Sequence, residues 1–329
     1  MTWTTGQTLQ NGRYTIEKEL GRGRFCITYL AKDKSGKDLV IKTLDENRLN
    51  QMSSAECNSL ESKLSDEARK LERCKHRHVV HVLKTFKEGQ VFCIAMEYIP
   101  GDTLANQIQR GLPEEEALKY IRQIGEALIE VHRQGLLHRD VKPANIIVRA
   151  GQYEAVLIDF DLAEEFDHPL TSRWRDEPFA AIELNSSTRK RRAYTDVYSL
   201  AATLYHLLTG QTPASAIKRK DGTKYLKPPK EINPRISENV NQAILKGMEV
   251  EPQDRPQTMG KWLRLLGFSI PRLPWRQPHW ALVVEILVVV ATVISAIFTV
   301  LGYFKPNSSP SSSEVTPTKI NNQQSTTKD

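Results

Sequence analysis

The sequence predicts an α+β fold: a small β-rich lobe, a larger helical lobe, and a single membrane-spanning helix near the C-terminus. Three observations carry this reading. Residues 13–44 alternate as strand, turn, strand, turn, strand. Residues 114–131 and 196–208 repeat apolar positions at helical spacing. Ala281–Phe304 is apolar over 24 residues apart from Glu285, and at 1.5 Å per residue a helix of that length reaches roughly 36 Å, enough to span a bilayer core. With 40% hydrophobic and 26% charged residues in a chain of 329, the composition is that of a folded protein.

In the β-rich part, Arg13–Leu20 alternates, Gly21-Arg-Gly23 interrupts it, and Phe25–Ala31 resumes. Ser35-Gly36-Lys37 turns the chain into Leu39–Leu44. Residues 46–75 are charged, with Leu60, Leu64, Ala68 and Leu71 at helical spacing, and Glu67 shares a face with Leu71. A strand region runs from Val79-Val80 to Met96, and Pro100-Gly101 marks the seam between the lobes. The next helix starts at Pro113 with Glu114, Glu115 and Glu116 in its first turn, where the macrodipole favours acids, and Gly135 caps its end. Asp196–Leu208 reads as a helix buried on most sides and stopped by Gly210; residues 211–265 read as shorter helices joined by Pro-rich loops.

Two places carry chemistry. Between the apolar runs Leu136-Leu137 and Ile146–Val148, both read as short buried strands, stand His138, Arg139, Asp140, Lys142 and Asn145. So many polar groups are too costly to bury for packing alone. They suit removal of a proton at Asp140, a phosphate at Lys142 and a metal at Asn145. The buried run Ala155–Ile158 ends abruptly in Asp159-Phe160-Asp161, where an aspartate either caps the turn or binds a metal.

In this order these segments resemble a protein kinase of the Ser/Thr type, over residues 13–266. The resemblance implies a two-lobed kinase fold, with the small lobe over about 13–99 and the large one over about 100–266. It also implies the cofactors ATP and Mg²⁺. Leu20, Gly21 and Gly23 are similar to the glycine-rich loop over the phosphates, and Lys42 to the lysine that holds the α and β phosphates. Glu67 resembles the ion-pair partner of that lysine. Met96 resembles the gatekeeper; backbone groups of Glu97 and Ile99 would bond adenine, which Val40, Thr28 and Ile147 would sandwich. Asp140 would take the proton of the substrate hydroxyl, Lys142 would meet the γ-phosphate, and Asn145 and Asp159 would hold Mg²⁺. Glu183 is expected to pair with Arg255, and Asp196 to brace the catalytic loop.

The chain departs from the family pattern at Cys26, where a third glycine usually stands. It departs again at Asp161, in place of the last residue of D-F-G, and at Asp176-Glu177-Pro178. Thr171 and Ser172 are the hydroxyls between Asp161 and Glu177 that a regulatory phosphate would use. Arg189-Lys-Arg-Arg192 is either a solvated loop or a site for acidic substrates, phosphate or anionic lipid.

The rest of the chain bears on location. Residues 1–12 read as an N-terminal extension, without the basic-then-apolar pattern of a signal peptide. Residues 267–280 form a Pro- and Trp-containing juxtamembrane linker, 281–304 the transmembrane helix, and 305–329 a disordered extracytoplasmic tail. Trp280 and Tyr303-Phe304 sit at the two interfaces. Arg264, Arg272 and Arg276 before the span against Lys305 after it keep the kinase domain cytoplasmic, in a single-pass protein of the plasma membrane. Four cysteines without C-x-x-C spacing read as reduced thiols. A formal charge of +7, with no basic-aromatic interleaving, argues against a nucleic-acid partner. The expected partners are ATP, proteins bearing Ser or Thr, the bilayer, and a second copy of the chain for autophosphorylation. The layout and the D-F-D variant are similar to bacterial, cyanobacterial-like kinases of eukaryotic type. A membrane-anchored pseudokinase scaffold and a small-molecule kinase are the rival readings.

Overall fold

A computed structural model describes residues 3–23, 25–108, 111–160, 177–186, 188–270 and 291–293. Asp161, Thr171, Ser172, Asp176, the linker from residue 271, most of the apolar segment 281–304 and the tail lie outside these residues. Among the described residues no helix is long and apolar enough to cross a membrane. Met1–Ile270 form one compact unit.

That unit opens with β1 (Thr8–Leu9), β2 (Tyr14–Arg22), β3 (Cys26–Asp33) and β4 (Asp38–Leu44). Then come α1 (Glu46–Leu49), α2 (Ser54–Arg73), β5 (Val82–Glu88) and β6 (Val91–Glu97). All the strands join one antiparallel sheet in the order β1-β2-β3-β4-β6-β5. Side chains alternate across a strand, so one face takes Ile27, Tyr29, Ala31, Leu39 and Ile41 into a small core. The other face is left with Thr28, Val40 and Lys42. Register places Thr28 opposite Lys42 and Val40 opposite Met96, which gathers four of the expected nucleotide contacts on one surface.

Two sequence expectations change here. The helical stretch expected over 46–75 is two helices, because Ser53 and Glu56 close a reciprocal capping box that starts α2 afresh. Val79 and Val80 do not extend β5. Val79 bridges to Leu157, and the Val80 N–H donates to the Leu157 carbonyl at 3.0 Å, which stitches the small lobe to the large one.

The large lobe holds β7 (Gly101–Thr103), α3 (Leu104–Gln107), α4 (Glu114–Arg133), β8 (Ile146–Arg149) and β9 (Ala155–Leu157). It continues with α5 (Ala193–Thr209), α6 (Ala216–Lys220), α7 (Pro229–Ile232), α8 (Glu238–Gly247) and α9 (Met259–Leu265). Strands β7, β8 and β9 make a small antiparallel sheet. Leu136-Leu137, expected as a strand, pairs with nothing in that sheet, although Leu136 is buried. Helix α5 is buried nearly all round, and the buried faces of α4, α8 and α9 share its core.

Gly101 sits where the lobes meet. Its φ is +153°, and a Cβ there would lie 2.0 Å from the carbonyl oxygen of Val148. Gly101→Ala should therefore cost roughly 1–3 kcal/mol, as backbone strain and overpacking do. A urea titration that returns the wild-type midpoint would show that this crossing relaxes freely.

Candidate active site

Residues 138–145 run between α4 and β8, and the floor beneath them is Asp196 in the first turn of α5. Its Oδ2 accepts the His138 N–H at 3.0 Å, and its Oδ1 accepts the Arg139 N–H at 2.8 Å. His132 of α4 adds a third contact, with Nε2 at 2.7 Å from Oδ2. Burial by itself would raise the Asp196 carboxyl; the His132 ring and the His138 N–H more than reverse this and hold it below its ordinary value. The loop is anchored well enough to keep Arg139 in the left-handed region, at φ +68°.

Burial lowers the His138 imidazole, which favours its neutral form. One tautomer meets both its contacts: Nε2–H donates to the Ile158 carbonyl at 2.8 Å, and Nδ1 accepts the Asp140 N–H at 3.2 Å. The His138 ring lies 4.4 Å from that of Phe160. His138 therefore couples the loop to the segment that ends in Asp159.

The Asp140 carboxylate is clamped on both oxygens. Lys142 Nζ lies 2.9 Å from Oδ1, and Asn145 Nδ2 donates to Oδ2 at 2.9 Å and to the Asp140 carbonyl at 2.8 Å. Asn145 in turn accepts the Ile158 N–H on its backbone carbonyl at 2.9 Å. The loop and the start of Asp159-Phe160 are thus one hydrogen-bonded piece.

Across the cleft, Lys42 Nζ reaches Asp159 Oδ1 and the Phe160 carbonyl, each at 2.7 Å. Desolvation in the cleft raises the Asp159 carboxyl, and the Lys42 ammonium beside it more than offsets this and lowers it overall. The Lys42–Glu67 pair expected from the sequence is not among the ion pairs of the described residues. Among the described residues Lys42 pairs with Asp159, and Glu67 Oε1 pairs with Arg139 Nη1 at 3.1 Å. Both cations carry the same charge, so the position of α2 decides which of them Glu67 meets.

A cleft of about 400 Å³ brings the remaining candidates together. Leu20, Gly21 and Gly23 line it, with Thr28, Val40 and Lys42 from the sheet. Met96, Glu97, Ile99 and Ile147 line it as well. Asp140, Lys142, Asn145 and Asp159 complete the lining. Glu67 does not line this cleft. Among the described residues no group of three His, Cys, Asp or Glu could hold a metal alone. The Asp159 carboxylate and the Asn145 amide oxygen are hard donors that fit Mg²⁺, which takes one or two protein oxygens and completes its shell with phosphate and water.

Behind the loop, Arg255 Nη1 and Nη2 meet Glu183 Oε1 and Oε2 at 2.8 and 3.1 Å, so the expected pair is bidentate and fully buried. Thr195 donates its hydroxyl to Glu183 at 2.8 Å. Sequence reasoning missed His132 and the Glu67–Arg139 pair, whose partners are distant in the chain.

The sequence profile of the protein kinase domain matches residues 14–263. A probable serine/threonine-protein kinase of Clostridium perfringens, CPE1738, is 30% identical over 266 residues, covering 77% of this chain and 37% of its own length. PrkC, a serine/threonine-protein kinase of Bacillus subtilis, is 28% identical over 75% of this chain and 39% of its own. The chain spans about two fifths of the length of these relatives. Among solved structures, PpkA-294 in its apo form matches with a TM-score of 0.64 at 26% identity, over 80% of this chain and 99% of that one. The PknI kinase domain of Mycobacterium tuberculosis shares the fold, with a TM-score of 0.63 at 22% identity over 81% of this chain and 100% of its own. The chain belongs to the protein kinase domain family.

Proposed function

We propose that this chain is a membrane-anchored kinase that transfers the γ-phosphoryl group of Mg·ATP to Ser or Thr hydroxyls of proteins, its own included. The observation that carries the reading is the Asp140 carboxylate, held between Lys142 and Asn145 in the lining of a cleft shared with Lys42 and Asp159. Asp140 orients the attacking hydroxyl and takes its proton as the oxygen bonds to phosphorus. The bond from γ-phosphorus to the bridging oxygen breaks and ADP departs. Lys142 faces the transferred group, and Lys42 the α and β phosphates. Asn145 and Asp159 would hold Mg²⁺, which when bound would supply positive charge to offset that of the phosphates. Catalysis here is positioning and charge stabilisation.

On this reading the described charge pairs are those of a resting arrangement. Turnover requires Lys42 to leave Asp159 for the phosphates and Glu67 to leave Arg139 for Lys42. Glu67→Gln should then lower kcat/KM by at least about tenfold, or ~1.4 kcal/mol of transition-state stabilisation. Unchanged kinetics would remove Glu67 from the mechanism.

The decisive assay supplies the full chain with labelled ATP and Mg²⁺ and follows label on the chain and on a generic basic protein, with Asp140→Asn as control. Transfer that survives the substitution, or label on a metabolite alone, sinks the reading. Anchoring through residues 281–304 is supported by their length, interfacial aromatics and flanking arginines. The chain should stay in the membrane pellet after carbonate washing, and a tag on residue 329 should be open to protease from outside intact cells. Autophosphorylation between two copies should slow per molecule on dilution in detergent; a rate independent of concentration would assign it to a single copy.

A further inference from the structure

The chain's positive charge is concentrated in one place. Segments 189–192 and 218–227 hold nine Lys and Arg against one acid, Asp221, which exceeds the formal excess of +7 for the whole chain. The rest of the protein is close to neutral, so the basic face is a local feature rather than general solvation.

The fold brings these segments together. Arg189 Nη1 and Lys220 Nζ reach the two oxygens of Glu251, at 3.3 and 2.7 Å. Hydrogen bonding to Lys220, with Arg189 beside it, holds the Glu251 carboxyl below its ordinary value, so the nearest acid on this face is already engaged twice. The loop after α6 folds back onto that helix, with the Lys224 N–H donating to the Lys218 carbonyl at 3.0 Å. Lys190, Arg192, Lys220, Lys224 and Lys227 are exposed, and Tyr225 beside them is 79% exposed. Asp221 lies within the basic segments, and Glu249 and Asp254 flank Glu251 in sequence, too few acids to balance nine bases.

Its position points to the occupant. Arg192 immediately precedes α5, whose first turn supplies Thr195 to Glu183 and Asp196 to the catalytic loop. A ligand on Arg189–Arg192 therefore lies about one helical turn from the residue that holds Asp140's loop. We propose that this face docks an acidic segment of the protein substrate. The proposal rests on the kinase reading for its substrate and deepens it by naming the substrate's charge. Exposed pairs of this kind contribute little individually and act together, mainly at low salt.

The test uses the full chain carrying Asp140→Asn, which binds without turnover. It compares a fluorescent peptide bearing serine followed by four glutamates with one bearing four glutamines, by anisotropy. The glutamate peptide should bind about tenfold more tightly at low ionic strength, and the difference should shrink as salt rises. Adding Lys190→Gln, Arg192→Gln, Lys224→Gln and Lys227→Gln should erase the difference without moving the melting temperature. Equal affinity for the two peptides overturns the proposal, as does a preference that survives the four substitutions. If the substitutions leave both peptides unaffected but abolish binding to phosphatidylserine vesicles, the face belongs to the bilayer and the proposal falls. Charge-dependent peptide binding by a chain whose wild type transfers no phosphate leaves the docking site standing and removes the kinase reading.

Discussion

Asp140→Asn is expected to lower kcat for phosphoryl transfer by about 10²–10⁴, the usual contribution of a positioned general base, with ATP affinity and melting temperature near wild type. Asparagine has nearly the same shape and can still accept the hydrogen bond from Asn145. It cannot take the proton of the attacking hydroxyl, and it removes the charge that Lys142 now faces at 2.9 Å. The proposed nucleotide contacts, Lys42, Val40, Met96 and Ile147, line the cleft from other elements, so binding of ATP should survive. Initial rates on a peptide, alongside nucleotide binding by calorimetry, separate the two effects. A kcat within about fivefold of wild type, under ~1 kcal/mol of barrier, would mean that the proton leaves by another route.

Arg255→Met is expected to be the most destabilising single change in the large lobe, costing about 3–5 kcal/mol, as breaking a buried ion pair does. Both partners are fully buried, and Arg255 also donates to the carbonyls of Glu249 and Val250, each at 2.7 Å, and lies over the Tyr198 ring. Removing it takes a charged donor from the Glu183 carboxylate and from three carbonyls, those of Glu249, Val250 and Tyr194. Glu183→Gln added to Arg255→Met should recover part of the loss, because the stranded charge is gone. Urea unfolding of the single and double variants reads this directly. A single-variant loss below ~1 kcal/mol would show that water reaches Glu183. Activity should fall with stability, since Thr195, bound to Glu183, adjoins Asp196.

The element boundaries show how far local pattern carries. Val40 and Lys42 share a face because side chains alternate along one strand, which local pattern shows; Thr28 joins them only through the β3–β4 register. The break between α1 and α2 was also present, in Ser53 and Glu56, but the surrounding charged helical pattern masked it. Leu136-Leu137 was misread because a short apolar run does not distinguish a strand from a buried loop. The stitching of Val79-Val80 to Leu157 carries no local signature at all.

The sequence by itself determined which groups the protein brings to its cleft. Asp140, Lys142, Asn145 and Asp159 lie within twenty residues of one another, at spacings set by a loop and two short strands, and their chemistry is in their side chains. Only the tertiary structure decided how the charges pair. Glu67 is 72 residues from Arg139, and His132 is 64 from Asp196. A buried carboxylate takes whichever cation the packing sets within about 4 Å, because Coulomb attraction depends on distance and burial and not on separation along the chain. Lys42 on Asp159 and Glu67 on Arg139 are therefore properties of where α2 sits against the catalytic loop.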